Sequence, residues 1–160
     1  MILIDTTGLW GIIFEDSKYH DFIVRNLSGK TIYVLDIQIL EIFRVIYRTF
    51  SMRGKQLDAG LSKLGEVVDF LRNRLYEMKG IRMVYIETKC SDYFEAIALL
   101  LSNPEIFTRE GPEDTLWPEI VDAIIAILWK RHRAVLYTKD KSLIRYGRQE
   151  KLNYVVIEEL

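Results

Sequence analysis

Apolar runs and amphipathic stretches alternate along this chain. Short apolar runs rich in β-branched residues predict buried strands at residues 1–5, 30–35, 81–88, 134–137 and 154–157. Apolar positions at helical spacing predict helices at residues 16–28, 37–50, 57–75, 91–101, 118–131 and 141–146. Strands that alternate with helices indicate an α/β protein with a mostly parallel sheet, covered by helices on both faces.

Glycine and proline predict where these elements break. Gly8 and Gly11 predict a tight turn after the first strand. Residues 104–117, which include Gly111 and Pro112, predict a loop or short turn. Pro118 suits the first turn of the apolar helix that follows, because its missing N–H would be unpaired there anyway.

The predicted helix at 57–75 has the most regular pattern. Its apolar residues recur at spacings of 4, 3, 4, 3 and 4, and they are Leu57, Leu61, Leu64, Val68, Leu71 and Leu75. We expect this face to pack on the domain's own sheet. A seam with a partner helix is the alternative interpretation, although three heptads are a weak coiled-coil pattern.

Length and composition indicate one globular domain spanning residues 1–160. The chain has 49% hydrophobic and 28% charged residues, typical of a soluble protein. Cys90 is the only cysteine, which excludes an internal disulfide and a multi-cysteine zinc site, and we expect it to be buried. No apolar run approaches the roughly 20 residues of a membrane span, and Met1–Ile4 lacks a basic region, so we expect a cytoplasmic protein that does not enter membranes.

Charge is unevenly distributed although the net charge is only −1. Residues 105–122 contain six acids and one base, whereas residues 130–151 contain eight bases and two acids. A basic surface beside an acidic site suits a ligand with a phosphate backbone. A solvated helix face is an equally good explanation of the basic run.

Four acids stand in apolar surroundings, where carboxylates are rare unless paired. Asp5 and Asp140 follow predicted strands, and Glu41 and Asp122 lie on apolar helices. Since parallel strands end at the same edge of a sheet, we expect all four to face one cleft. At about 5 Å and an effective dielectric near 20, each pair would repel by roughly 3 kcal/mol, so the cluster predicts a cation, Mg²⁺ or Mn²⁺.

Each acid has a simpler explanation when taken alone. Asp5 could cap a helix, Asp122 could interact with a helix dipole, and Asp140 could be a turn residue. Glu41 could be an exposed acid paired with Arg44 or Arg48 on the same helix. No other catalytic group is evident, because His20 and His132 have no visible Ser or Cys partner and are expected at the surface.

The order of these residues resembles the PIN-domain ribonucleases, which include toxins of the VapBC type. The motifs that carry the resemblance are Asp5-Thr-Thr7, Glu41 within 33–44, Asp122 within 118–125 and Thr138-Lys-Asp140. The resemblance covers essentially the whole chain. It implies an α/β/α sandwich, a Mg²⁺ or Mn²⁺ site and endonucleolytic cleavage of RNA. Asp5, Glu41, Asp122 and Asp140 would then be both metal ligands and catalytic residues, with Thr138 in support.

Three features depart from the family's pattern or extend it. Thr7 stands where members usually have Asn, but its hydroxyl can still orient Asp5 by a hydrogen bond. Glu119 lies one turn before Asp122 and is a candidate extra ligand or supporting acid; a first-turn acid that favours the helix dipole is the alternative. The stretch 101–117 is longer than expected and is a candidate lid or dimer element.

The resemblance also implies partners. RNA would lie on the basic surface, with Lys130, Arg131, Lys139 and Lys141 as contacts. An antitoxin protein and a second copy of the chain are further expected partners, and the helix at 57–75 is one candidate dimer surface.

Two other functions compete with a metal-dependent ribonuclease. One is a non-catalytic PIN-like module that binds RNA or protein, which Thr7 favours. The other is a phosphatase with an aspartyl nucleophile on a doubly wound sheet. Such phosphatases resemble the pattern Asp-x-Asp-x-Thr after the first strand. The phosphatase is disfavoured because Asp5-Thr-Thr-Gly-Leu lacks the second Asp of that pattern.

Overall fold

Six strands form one sheet in the computed structural model, which describes residues 1–52, 57–72, 74, 76–111 and 115–159. The elements in chain order are β1 (Ile2–Ile4), α1 (Thr6–Ile13), α2 (His20–Leu27), β2 (Thr31–Leu35), α3 (Asp36–Met52), α4 (Leu57–Arg72), β3 (Glu77–Met78), β4 (Ile81–Ile86), α5 (Cys90–Ser102), α6 (Pro104–Phe107), β5 (Thr108–Glu110), β6 (Leu116–Pro118), α7 (Ile120–His132), β7 (Val135–Thr138), α8 (Lys141–Gln149) and β8 (Tyr154–Val156).

The sheet has the order β3-β4-β2-β1-β7-β8. Every neighbouring pair is parallel except β3 and β4, which form a short antiparallel hairpin at one edge. Ile4 of β1 lies opposite Tyr137 of β7. The predicted α/β class with a mostly parallel sheet is therefore confirmed, and β1 and β7 end side by side.

Helices cover both faces of the sheet, which gives the α/β/α arrangement. On one face, the apolar sides of α1 to α4 form a buried cluster with residues such as Leu9, Ile23 and Ile42. On the other, α5 to α8 form a second cluster around Phe107, Trp129 and other large side chains. α7 is buried on nearly all sides, as its continuous apolar sequence predicts.

The predicted tight turn at Gly8 and Gly11 is wrong, because both residues lie inside α1. Their role is close packing. A Cβ on Gly8 would come within 2.3 Å of Ile4 Cγ1, and one on Gly11 would lie 3.2 Å from Tyr19 Cβ. Glycine here allows α1 to lie directly against its neighbours, and sequence alone does not distinguish that use from a turn.

The predicted loop at 104–117 is also wrong, because α6 and an antiparallel hairpin of β5 and β6 occupy most of it. Pro112 lies outside the described residues. Pro118 ends β6, and α7 begins two residues later at Ile120. The sequence does not predict β5 and β6 because each strand has only three, mostly exposed residues. Such strands show no alternation of apolar and polar side chains.

The regular apolar face of the 57–75 prediction belongs largely to α4. Leu71 is buried in the same cluster as Ile42 of α3 and Leu64 packs against it, so these members of the predicted face contact the domain itself, whereas Leu61 is 51% exposed. α4 ends at Arg72, and Leu75, where the pattern predicts the helix to continue, lies outside the described residues.

The expected burial of Cys90 is wrong, because this residue begins α5 and is exposed. α5 buries only Asp92 and Ala96, and the rest of the helix is an outer layer. Among the described helices, none is long and apolar enough to cross a membrane.

Close packing at Gly147 of α8 gives a prediction for stability. A Cβ there would lie 2.2 Å from Trp129 Cη2, and Trp129 is fully buried and hydrogen-bonded through Nε1 to Ala134 O. Because the indole is fixed, we expect Gly147→Ala to lower the free energy of unfolding by about 1–3 kcal/mol in urea denaturation.

Gly65→Ala is the matched control, because Gly65 lies in the exposed middle of α4 with open space around the added methyl group. Higher helix propensity should raise its stability by about 0.5–1 kcal/mol. Equal effects of the two substitutions would contradict the packing role of Gly147.

Candidate active site

Acidic side chains from four parts of the chain line one open cleft of about 440 Å³ at the carboxyl edge of the sheet. They are Asp5, Glu41, Glu119, Asp122 and Asp140. Arg109 is the one basic side chain among the described residues that line it. The cleft thus brings together all four predicted acids and the candidate supporting acid Glu119.

Asp5 is the most buried of these acids, with 2% of its surface exposed. Its Oδ1 accepts a hydrogen bond from Gly8 N (2.7 Å), which caps α1. Its Oδ2 accepts from Thr138 Oγ1 (2.5 Å) and Lys139 N (3.2 Å). Burial raises the pKa of Asp5 from 3.8 to about 6, although these hydrogen bonds favour the ionised form. The carboxylate is therefore both a helix cap and a fixed group of the cleft.

Thr138 connects Asp5 to Asp140. The threonine is fully buried, donates its hydroxyl hydrogen to Asp5 and accepts a hydrogen bond from Asp140 N at 3.0 Å. Asp140 in turn caps α8, where its Oδ1 accepts from Ser142 N (2.7 Å) and Leu143 N (2.9 Å). One hydroxyl thus couples the ends of β1 and β7.

Glu41 reaches the cleft from α3, where its Oε2 accepts a hydrogen bond from Thr6 Oγ1. The described structure shows no ion pair of Glu41 with Arg44 or Arg48. One turn earlier, fully buried Gln38 donates to Ile4 O at 2.9 Å and fixes α3 to the end of β1. The sequence did not single out Thr6 or Gln38, whose roles depend on which strand end they meet.

Asp122 and Glu119 enter from the start of α7. Burial raises the pKa of Asp122 well above its ordinary value, and the negative charges of Asp140, Glu119 and Glu41 raise it further. The Glu119 pKa is also raised by burial. Both shifts show that carboxylates here are crowded and poorly hydrated.

Arg109 opposes this effect at Glu119. Its Nε lies 2.5 Å from Glu119 Oε1, and its positive charge lowers the pKa that burial raises. The contact is an ion pair rather than a hydrogen bond, since no donor among the described residues aims a hydrogen at that buried oxygen. No sequence pattern marks Arg109 as a residue of the cleft, because β5 carries it there and the sequence predicts a loop at that strand.

Thr7 lines the cleft, but among the described residues its hydroxyl makes no hydrogen bond to Asp5. Gly8 N, Thr138 Oγ1 and Lys139 N orient that carboxylate instead.

The predicted basic contacts do not all lie near the acids. Lys130 pairs with Glu150 (2.5 Å), and Arg131 pairs with Asp92 (2.7 Å), both in the last turn of α7. That turn is about 12 Å along the helix from Asp122. The other two candidates begin the adjoining loop and helix, where Lys139 follows Thr138 and Lys141 is the exposed first residue of α8.

The donor chemistry of the cleft fits a hard divalent cation. Five carboxylates face one arginine, and the pKa values of Asp5 and Asp122 are raised chiefly by burial and further by neighbouring carboxylates. Over the described ranges, no group of three or more acid, histidine or cysteine side chains is arranged to hold an ion by itself. A cation here would keep water ligands, as Mg²⁺ usually does.

Comparisons with known proteins agree with this fold. The family model described as PIN domain matches residues 2–149. No curated protein matches the chain. A protein from Pyrobaculum aerophilum has a similar structure, with a TM-score of 0.55, 13% identity and coverage of 98% of this chain and 88% of that chain. VapBC2 from Rickettsia felis, solved with a DNA fragment from its promoter, has a TM-score of 0.50 at 18% identity and covers 99% of this chain and 100% of that chain.

The raised Asp5 pKa predicts a pH dependence of stability in metal-free buffer. The folded state holds this proton more tightly than the unfolded state, so the stabilisation is complete below pH 4 and is lost as pH rises to about 6. A shift of about two pKa units corresponds to roughly 3 kcal/mol. The free energy of unfolding, measured by urea denaturation between pH 4.5 and 7.5, should therefore fall less with rising pH in Asp5→Asn than in the wild type.

Asp21→Asn is the control, because Asp21 is an exposed acid in the first turn of α2. It should leave the pH profile of the wild type unchanged. An Asp5→Asn profile parallel to the wild-type profile would contradict the raised pKa.

Proposed function

The chain belongs to the PIN-domain family, a family of nucleases, and we propose that it is a metal-dependent endoribonuclease that hydrolyses RNA phosphodiester bonds in the acidic cleft. The observation that carries this proposal is the convergence of Asp5, Glu41, Asp122 and Asp140 in one cleft from separate elements. A fold that only needed stability would gain nothing from crowding carboxylates at a partly buried edge.

The residues that would hold the metal are Asp5, Glu41, Asp122 and Asp140, with Glu119 beside them. Mg²⁺ or Mn²⁺ would supply a bound water of lowered pKa as the nucleophile and would neutralise charge that develops on the phosphate. Asp5 and Asp140 are fixed by main-chain N–H groups and by Thr138, so they present oxygens without reorganisation. Thr6 holds Glu41 in the same way.

Arg109 has a distinct role in this proposal. Its positive charge partly offsets the effect of burial on the Glu119 pKa, and 70% of the arginine side chain remains exposed. The hairpin of β5 and β6 therefore contributes a cation to a cleft that must admit a polyanion.

The fold similarity to Rickettsia felis VapBC2 supports a narrower proposal, that this chain is the toxin of a toxin–antitoxin pair. A homodimer is a further part of the proposal. Induced expression should then arrest growth, and co-expression of a small protein encoded beside it should relieve the arrest. Light scattering would measure the oligomeric state.

A non-catalytic module that binds RNA or protein is the second candidate, favoured by Thr7 at the usual Asn position. Calorimetry with Mn²⁺ discriminates between the two. A working cleft should bind the ion and lose that binding in Asp122→Asn, whereas a degenerate one should show no heat of binding.

The proposed chemistry predicts that wild-type protein cleaves a fluorescent single-stranded RNA in Mg²⁺ or Mn²⁺ and that EDTA stops the reaction. Asp5→Asn should lower the cleavage rate by about 100-fold or more, because it removes a negatively charged oxygen ligand. Gel analysis of the products over time would measure the rate.

Asp21→Asn removes one exposed acid of α2 that is not among the residues lining the cleft, and it should cleave at the wild-type rate. Absence of cleavage on several RNAs, or equal rates for Asp5→Asn and wild type, would exclude the ribonuclease proposal.

A further inference from the structure

Two lysines share one carboxylate oxygen at the rim of the acidic cleft. Lys18 Nζ lies 2.7 Å from Glu159 Oε1, and Lys139 Nζ contacts the same oxygen. Both ammonium groups also stand over the ring of Tyr19, at 5.3 Å and 4.6 Å from its centroid. The rim therefore presents two cations converging on a single anionic oxygen above an aromatic floor.

This rim is continuous with the cleft. Tyr19 lines the cleft, and the main-chain N of Lys139 donates to the Asp5 carboxylate. The segment after β8 is held there as well, because Ile157 N donates to Thr138 O at 3.0 Å and carries Glu159 past the end of β7. The two ammonium groups are thus positioned by the same strand end that positions the acids.

A substrate phosphate needs cations at this position. The cleft itself is acidic, and Lys130 and Arg131 are paired with other acids at the far end of α7. A phosphate oxygen can replace a carboxylate oxygen between two ammonium groups, since both are anionic acceptors of charge-assisted hydrogen bonds. Lys18 and Glu159 are about half exposed, so this exchange needs no opening of the core.

We propose that Lys18, Lys139 and Tyr19 form a subsite for a phosphate of single-stranded RNA beside the scissile position, and that Glu159 occupies it until RNA binds. The subsite rests on the proposed ribonuclease function, since RNA is its ligand. Glu159 competes at every working pH, because hydrogen bonds from Lys139 and Lys18 lower its pKa to about 2.

The test is fluorescence anisotropy with a labelled single-stranded RNA, in an Asp5→Asn background with Mg²⁺ so that the RNA stays intact. Lys18→Ala with Lys139→Ala should weaken binding by about tenfold or more and lower the slope of log Kd against log salt by about 1 to 1.5. Glu159→Gln should tighten binding several-fold, because it removes the competing charge.

Matched controls separate these contacts from general charge effects. Glu158→Gln removes the same charge from the neighbouring residue and should bind like the parent. Lys30→Ala with Lys151→Ala removes two exposed lysines that precede strands β2 and β8. They lie at the amino ends of the strands, opposite to the cleft, and this variant should also bind like the parent. Tyr19→Phe keeps the ring and should retain affinity, whereas Tyr19→Leu should lose it.

The subsite and the ribonuclease can fail independently. Cleavage by the wild-type chain together with unaltered binding by the double lysine variant would overturn the subsite alone. RNA binding that depends on the two lysines, without any cleavage in Mg²⁺ or Mn²⁺, would keep the subsite and exclude the nuclease. Equal affinities of the Glu159→Gln and Glu158→Gln proteins, or no measurable RNA binding by the parent, would overturn the subsite.

Discussion

The hydrogen bond from Thr138 to Asp5 is the interaction on which the candidate site depends. It joins the ends of β1 and β7, two adjacent parallel strands, and its two residues are 133 positions apart in the chain. The carboxylate also caps α1, and the hydroxyl also accepts from Asp140 N. Because both groups are buried, loss of either partner would leave a polar atom without compensation. The same bond therefore sets the start of two helices and the position of two acids.

Electrostatics make this site costly to the folded protein. Burial raises the pKa values of Asp5, Asp122 and Glu119, and the acids raise one another's further. Such shifts mean that the folded state disfavours the charged forms that metal binding would require. A divalent cation that binds only the folded state would turn this destabilisation into stabilisation. It would stabilise the ionised carboxylates and add its own binding free energy to folding.

Positive charge reaches the cleft through elements outside the central sheet. Arg109 comes from the β5–β6 hairpin, Lys18 from the connection between α1 and α2, and Lys139 from the turn after β7. Each already contacts an acid of the protein itself. A polyanionic substrate would therefore have to replace Glu119 or Glu159 as the partner of these cations. Its binding is thus coupled to the positions of Glu119 and Glu159.

Sequence by itself determined the α/β class, most of the strands and the four acids, because buried strands, amphipathic helices and carboxylates in apolar runs each leave a local pattern. Gly8 and Gly11 were misread, since a glycine needed for close packing looks like one needed for a turn. Cys90 was misplaced because burial depends on what covers a helix.

Only the tertiary structure decided which groups face the acids. No sequence pattern marks Thr6, Arg109 or Tyr19 as residues of the cleft. Lys130 and Lys139 look alike in the sequence, but the fold places Lys130 at the far end of α7 and Lys139 at the rim of the cleft. Local sequence sets the backbone of each element, but contacts between distant elements follow from how the helices pack on the sheet, and those contacts fix charge and burial in the cleft.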